Sequence, residues 1–428
     1  DKIVNIYKGF QKNLSVLNSL KYFYLKFIIM ENKTEYQAQL FANRLKKKYK
    51  ELRKWARKNR ITCYRIYNKD IPEIPVSLDL YEFLPSYITT PIEVAKFLTE
   101  QNEKISQNDF HTEKDIKSRT FAVLYLYERP YEKQYEQEEI WLNAMQKAAG
   151  EVLGIEESHI IKKMRKHQKG ANQYEKKDIK SSDDNTYFSD SDFQFVQEQG
   201  QIFKINLSSY LDNGLFFDHR PLRTIIRDTS SKKRVLNLFC YTGSFSVYAA
   251  QGNAAYVESV DLSNTYLDWA KQNMQNNGFS DKHKYVFTRS DCMVFLQQKA
   301  VAQKKILAAT KQNTQIPDEI TKNAQTYDII ILDPPTFSNS KNTSNVLDIN
   351  KDWPQLVKDS LNILNPNGVL YFSTNSERLK FNIEQIPQMT IFGYKIECED
   401  ITAQTIPNDY TSSKPHRCWK FSVKPKLS

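Results

Sequence analysis

Hydrophobic spacing changes character along the chain. Tyr36, Leu40, Phe41, Leu45, Leu52, Trp55 and Ala56 recur at three- and four-residue steps behind a Thr34-Glu35-Tyr36-Gln37 capping box, which predicts a long amphipathic helix. Ile61 to Tyr67, Val76 to Tyr81 and Phe121 to Tyr127 then read as strands and Glu136 to Val152 as a helix, so a small α+β unit is expected. Phe193 to Leu207 alternates around a glycine turn, the pattern of a hairpin. From Val235 onward, apolar runs alternate with helical segments: Val235 to Phe239, Tyr256 to Val260, Lys284 to Thr288, Tyr327 to Leu332 and Val369 to Thr374. Such runs predict a mostly parallel sheet of an α/β fold. The helix Trp353 to Leu364 is closed by Asn365-Pro366-Asn367-Gly368. Tyr394 to Ile401 and Arg417 to Val423 supply the last two strands, one of them antiparallel.

Chemistry gathers where these strands end. Val235 to Gly243, followed by Ser244 to Ala250, reads as first strand, tight turn and first helix; Gly243 tolerates a positive φ and lets backbone approach a ligand. The second strand ends in Asp261, where doubly wound nucleotide sites place a carboxylate for ribose hydroxyls, yet the first turn lacks a G-x-G-x-x-G pyrophosphate pattern. A cofactor with a ribose and no phosphates fits better, and S-adenosylmethionine is the common one. Capping of the helix from Ser263 to Asn277 is a second, compatible role for Asp261. The fourth run passes into Asp333-Pro334-Pro335-Thr336-Phe337. Successive prolines fix φ and remove two N–H donors, so Asp333 and Phe337 are presented on an extended loop at the sheet's carboxyl edge. This segment resembles the target-base motif of nucleic-acid amino- and aza-methyltransferases, in which the aromatic stacks on an extruded base.

A wider resemblance rests on Asn237-Leu238-Phe239-Cys240-Tyr241-Thr242-Gly243, Asp261-Leu262-Ser263-Asn264-Thr265-Tyr266-Leu267-Asp268-Trp269-Ala270, Asp291-Cys292, Asp333 to Lys341, Tyr210 to Arg220 and Phe41-Ala42-Asn43-Arg44-Leu45. Together these resemble the C-terminal half of the bacterial ribosomal RNA large subunit methyltransferase K/L family, over roughly residues 36–425. The resemblance implies a class I S-adenosylmethionine-dependent methyltransferase, Rossmann-like with a seven-stranded sheet, making N7-methylguanine in 23S ribosomal RNA. It implies cofactor contacts from Phe217, Arg220, Asn237, Phe239, Tyr241, Thr242, Gly243, Asp261, Leu262, Ser263, Asp291 and Cys292, and base contacts from Asp333, Pro334, Pro335 and Phe337. Arg220 would face the methionine carboxylate bidentately or, alternatively, form a structural Asp-Arg pair anchoring the linker. Asp291 would accept from the adenine amino group. Cytosine-C5 transfer requires a cysteine nucleophile where this chain has Ser373-Thr374-Asn375. Guanine-N2 transfer is the closer rival, and an inactive RNA-binding protein of this fold is the alternative outside enzymes. The family normally fuses this half to an RNA-binding, guanine-N2 methyltransferase half, so a separate or fused module of that kind is an expected partner.

Charge adds a polyanion to the picture. The chain of 428 residues carries a formal net charge of +11, and between Arg44 and Arg60 ten basic residues face one acid. Arg44, Lys47, Lys50, Lys54, Arg57 and Lys58 in that run, with Lys163, Arg165 and Lys166 further on, are the candidate RNA-binding residues; a solvated helix face is the plain alternative. Five widely spaced cysteines suggest reduced thiols in the cytoplasm, and neither they nor six scattered histidines have metal-site spacing. Residues 1–33 are a lysine-rich extension with three open readings: an organelle presequence, the tail of an upstream domain, or sequence ahead of a start at Met30. The expected division is 34–209 as an accessory RNA-binding domain with a mobile loop at about 172–192, and 210–428 as the methyltransferase domain with a polar insertion at about 300–326.

Overall fold

A computed structural model describes residues 32–127, 135–165, 193–338, 346–410 and 413–425. Residues 1–31 of the N-terminal extension and the loop expected at 172–192 lie outside these residues. Two compact units are distinguished. One comprises residues up to Lys54 together with Ile66–Asp79 and Phe121–Arg165; the other comprises Trp55–Arg65, Leu80–Thr120 and Lys166 onward.

A helix over 32–58 opens the described chain. In the first unit Phe41 meets Tyr67 edge-on, with ring centroids 4.8 Å apart, and the Trp141 indole N–H donates to Gln37 Oε1 at 2.7 Å. A four-stranded sheet runs in the order β1 (Cys63–Asn68), β2 (Val76–Glu82), β3 (Thr120–Tyr127), β4 (Ile160–Arg165), with β3 and β4 parallel. Helices Pro91–Ser106 and Phe110–Ser118 were not read from the sequence. The first has a Thr90–Glu93 capping box and a proline in its first turn, but its apolar stripe is thin.

The hairpin β5 (Phe193–Glu198) and β6 (Gln201–Asn206) belongs to the second unit. The cause is specific hydrogen bonding. Asn277 and Asn273 of the segment that follows the second core strand accept the Ile202 and Lys204 N–H groups at 2.8 and 2.9 Å, and the Trp269 indole donates to the Lys204 carbonyl at 2.8 Å.

The main sheet has seven strands, and its strand ends position everything that follows. In chain order they are β7 (Arg234–Leu238), β8 (Tyr256–Asp261), β9 (Tyr285–Arg289), β10 (Tyr327–Leu332), then, after the short pair β11 (Phe337–Ser338) and β12 (Leu347–Asp348), β13 (Leu364–Thr374), β14 (Lys395–Asp400) and β15 (Arg417–Lys424). Their spatial order is β14-β15-β13-β10-β7-β8-β9, parallel from β13 to β9, with β15 antiparallel to both neighbours. Val235, Leu236, Leu238, Ile330, Ile331, Leu332, Leu370 and Phe372 are fully buried, as strands covered on both faces require. Residues 300–326 are largely helical: the helix Cys292–Gln312 runs into them, followed by Asp318–Asn323. In the first of these helices buried polar groups are satisfied, Lys299 by Gln325 and Gln303 by the Ala324 carbonyl, which lets a Gln/Lys-rich segment pack.

Candidate active site at the carboxyl edge of the main sheet

Strand order reverses between β7 and β10, parallel neighbours that lie side by side although β8 and β9 follow β7 in sequence; a crevice opens at the carboxyl ends of such strands. Register fixes who meets there. Leu238 pairs with Leu332 and with Val260, and Leu332 pairs with Phe372. The next residues of the four strands, Phe239, Asp333, Asp261 and Ser373, therefore emerge along one edge.

The turn after β7 is bent hard. Phe239, Tyr241 and Gly243 have φ of 53°, 50° and 75°, and two non-glycine residues at positive φ within three positions mark a strained segment held by its surroundings. The holding groups are identifiable. The Phe239 N–H donates to Cys292 Sγ at 3.2 Å and the Tyr241 N–H to Asp261 Oδ2 at 3.0 Å. The Thr242 hydroxyl donates to the Gly214 carbonyl at 2.6 Å, and Asn273 Nδ2 to the Thr242 carbonyl at 2.8 Å. A Cβ on Gly243 would lie 2.8 Å from that of Ala270, so the turn also packs against the helix Asn264–Asn276 with no room for a side chain. Asp261 Oδ1 accepts the Ser263 N–H at 2.9 Å. Each Asp261 oxygen thus takes one backbone N–H and keeps a further acceptor position. Burial raises its pKa, while the same N–H groups oppose that shift.

The loop after β10 is organised differently. Asp333 is part-exposed, Pro334 is buried, and Phe337 is 44% exposed. Thr336 Oγ1 donates to Asn375 Oδ1 at 2.7 Å, tying the loop to the end of β13. Behind Asp333 lies a cluster that wide sequence spacing conceals. His219 Nε2 is 2.7 Å from Ser373 Oγ and 3.4 Å from Asp333 Oδ1, its Nδ1 is 3.3 Å from Asp218, and its ring stacks on His416 at 4.2 Å and 15°. His416 Nδ1 lies 3.5 Å from Asp218, and its Nε2 3.0 Å from Thr405 Oγ1. Burial opposes a charge on His219, but Asp333 and Asp218 overcome it and push its pKa up to about 10; burial and the charged His219 hold His416 below its usual value. The sequence suggested no metal cluster, yet Asp218, His219 and His416 bring ligand atoms within 4.8 Å of one another. Both Nδ1 atoms face the one Asp218 carboxylate, and the His219 ring lies between Asp218 and Asp333.

Comparison with known proteins fits this edge. A family model of S-adenosylmethionine-dependent methyltransferases matches residues 186–293. The chain is 36% identical over 385 residues to the ribosomal RNA large subunit methyltransferase K of Neisseria meningitidis serogroup B, covering 90% of this chain and 87% of that protein. It belongs to that family. A ribosomal RNA large subunit methyltransferase K/L of Magnetococcus marinus is also 36% identical over 90% of this chain, which spans 43% of that longer relative. Among solved structures, a methyltransferase complexed with SAH gives a TM-score of 0.57 at 20% identity, covering 90% of this chain and 82% of that one. A SAM-dependent methyltransferase from Streptococcus mutans gives 0.55 at 19%, covering 90% and 81%. The fold is that of S-adenosylmethionine-dependent methyltransferases, and S-adenosylmethionine is the cofactor.

Within this K-family chain the candidate residues separate into groups. Phe239, Tyr241, Gly243, Asp261, Leu262, Ser263, Asp291 and Cys292 surround the turn at the ends of β7, β8 and β9, with Asp291 capping the helix Cys292–Gln312 through the Met293 and Val294 N–H groups. Asn237 points inward, donating to Ser246 Oγ at 2.9 Å. Phe217 is buried against Tyr81 at 5.3 Å. Arg220 is held by acids and a carbonyl of the protein. Only 2% exposed, it donates to Glu198 at 2.6 Å, Asp409 at 2.9 Å and the Cys63 carbonyl at 2.9 Å, so its donors are used within the protein. Arg223 completes this network on Glu198.

The basic candidates divide as sharply. Lys47, Lys50, Lys54 and Lys58 are exposed at three- and four-residue steps on the helix 32–58, with Arg57 half-buried beside them. Arg44 instead pairs with buried Asp70 at 2.7 Å. Lys163 is 1% exposed on β4, its ammonium 6.0 Å from the centre of the Tyr125 ring. The Arg165 side chain and Lys166 lie outside the described residues. Sequence reasoning assigned no role to His219, His416, Ser373, Glu198 or Asp409. An Asp-His-Arg triplet just ahead of the first core strand was the one available signal.

Proposed function

We propose that this chain transfers the methyl group of S-adenosylmethionine to N7 of a guanine in large-subunit ribosomal RNA. The observation that carries the reading is the loop after β10: an acid at the switch point, stiffened by two prolines, with a half-exposed aromatic four residues on. The names of the two relatives support the ribosomal target. The cofactor supplies an electrophilic methyl on a sulfonium. Asp261, with an acceptor position left on each oxygen, suits the two ribose hydroxyls; the backbone of Phe239 to Gly243 lines the approach, and Leu262, Ser263, Asp291 and Cys292 serve the adenine side. Asn237 and Thr242 brace this turn from behind. Arg220 is not assigned to the cofactor.

Guanine N7 carries a lone pair and no proton, so alignment rather than proton abstraction is the main requirement. Asp333 accepts N–H donors of the base, Pro334 and Pro335 keep the loop extended, and Phe337 stacks on its face. Cytosine-C5 chemistry lacks a thiolate here. Thr374 ends β13, and Cys418, paired with Ser373 across the sheet, is buried with its pKa raised well above the ordinary value. Lys47, Lys50, Lys54, Arg57 and Lys58 are assigned to phosphates.

Product analysis tests the proposal. Unmodified large-subunit ribosomal RNA incubated with the protein and S-adenosylmethionine should yield N7-methylguanine nucleosides by mass spectrometry; N2-methylguanine or 5-methylcytosine as the sole product overturns the assignment. Asp333→Asn replaces one acceptor oxygen with a donor and should lower kcat on the order of 100-fold while cofactor affinity holds.

A further inference from the structure

Asp333 has an unusual problem of orientation. An aspartate at a strand end ordinarily steadies its carboxylate on the backbone N–H two residues ahead, but here the next two residues are Pro334 and Pro335, which have none. The donor that stands in for them comes from far away in the chain. His219 Nε2 faces Asp333 Oδ1 at 3.4 Å and Ser373 Oγ at 2.7 Å, while Nδ1 is anchored on Asp218 at 3.3 Å. The ring has little freedom: it is 6% exposed, stacked on His416 on one side and edge-on to Phe245 at 5.8 Å. His416 is itself pinned between Thr405 and Asp218.

We propose that His219 is a positioning residue for methyl transfer, holding the Asp333 carboxylate toward the acceptor base through Nε2 and the Ser373 hydroxyl, with Asp218 and His416 fixing the ring. The inference rests on the reading that Asp333 meets the base. The charged and titratable groups facing His219 are Asp218 beside it in the chain, Asp333 after β10 and His416 before β15; Cys418 on β15 remains a neutral thiol. With both carboxylates in place the imidazole stays protonated until pH rises through about 10. Removing one carboxylate lowers that threshold, because an opposite charge is what favours the protonated ring.

Three variants test this: His219→Gln, Ser373→Ala and Asp218→Asn. His219→Gln should lower kcat on the order of 100-fold, since small misplacements at the reacting centre have effects of that size, with KM for ribosomal RNA and calorimetric S-adenosylmethionine affinity unchanged. Ser373→Ala should lower kcat about tenfold. The wild-type kcat should be flat across about pH 6–9, whereas Asp218→Asn should lose activity on the alkaline side between about pH 7 and 9 as its less supported imidazole deprotonates. A merely structural role predicts something else: kcat and cofactor affinity falling together with the unfolding temperature, and a flat Asp218→Asn profile. Either result overturns the proposal. Should the wild type methylate a different atom while His219→Gln still lowers kcat alone, the acceptor assignment fails and the positioning role stands.

Discussion

The turn after β7 and the loop after β10 leave the sheet from paired residues, Leu238 and Leu332, yet they are built on opposite principles. The first is bent through three positive φ values and closed by backbone hydrogen bonds to Cys292 and Asp261, with Gly243 pressed onto Ala270. The second gives up its own N–H donors at two prolines, leaves Phe337 half-exposed, and takes its support from side chains elsewhere, Asn375 just past β13 and His219 at the start of the helix Arg220–Thr229. A small cofactor of fixed shape rewards a preformed pocket whose strain has already been met by packing. A base that must first leave an RNA helix needs a stiff but open platform. The difference teaches that substitutions in the two loops should separate cofactor affinity from turnover.

The sharpest way to break that contrast is Gly243→Val. A β-branched residue at φ of 75°, with its Cβ 2.8 Å from that of Ala270, should cost about 1–3 kcal/mol of stability and, by displacing the turn, weaken S-adenosylmethionine binding more than about 100-fold. Calorimetric titration and thermal unfolding check both halves, and near-normal affinity would show that the turn does not shape the cofactor site. Next in size is Asp261→Ala. Loss of the carboxylate leaves the Tyr241 and Ser263 N–H groups without their acceptor and removes the assigned diol contact, so affinity should fall by about 2–3 kcal/mol, on the order of 100-fold. If Asp261→Ala leaves cofactor affinity intact and Asp333→Asn reduces it, the two loops have been assigned the wrong way round.

Much of this edge was legible in the sequence because it is local. The strand ending in Asp261, the small-residue turn at Gly243 and the Asp-Pro-Pro segment are each written within a dozen positions, where periodicity and turn chemistry act. The histidine cluster was not, since His219 and His416 meet only after β15 inserts antiparallel beside β13, and no spacing rule anticipates that contact. Arg220 was legible as a cation near the site, but Glu198 comes from a hairpin and Asp409 from the short 3₁₀ helix Asn408–Tyr410, so its partners depended on tertiary structure. Lys163 misled for a related reason. In a run of basic residues it reads as surface, whereas on β4 it pairs with Tyr125 of β3 and is buried. Residues 300–312 read only as polar in the sequence, and their helix becomes visible through packing in which Lys299 and Gln303 find acceptors.

The smallest expected effect concerns RNA affinity, and it separates charge that is displayed from charge that is spent. Lys47, Lys54 and Lys58 are exposed on one stripe of the helix 32–58, while Arg44, on the same helix, is committed to Asp70 at 2.7 Å, a carboxylate with a side chain only 1% exposed. Each lysine that neutralises a phosphate on binding releases counterions, so the slope of log affinity against log salt should fall by about 0.7–0.9 per lysine removed, and replacing all three with glutamine should flatten it by roughly two units. Arg44→Gln should behave differently. Its slope should match the wild type, because that guanidinium has no charge to offer the RNA, while its unfolding temperature should drop because a buried carboxylate loses its partner. Filter binding of a ribosomal RNA fragment across a salt series measures both slopes. A triple-lysine variant with the wild-type slope means that the stripe is a solvated face and that RNA is gripped elsewhere; a reduced slope for Arg44→Gln means that the pair with Asp70 opens on binding.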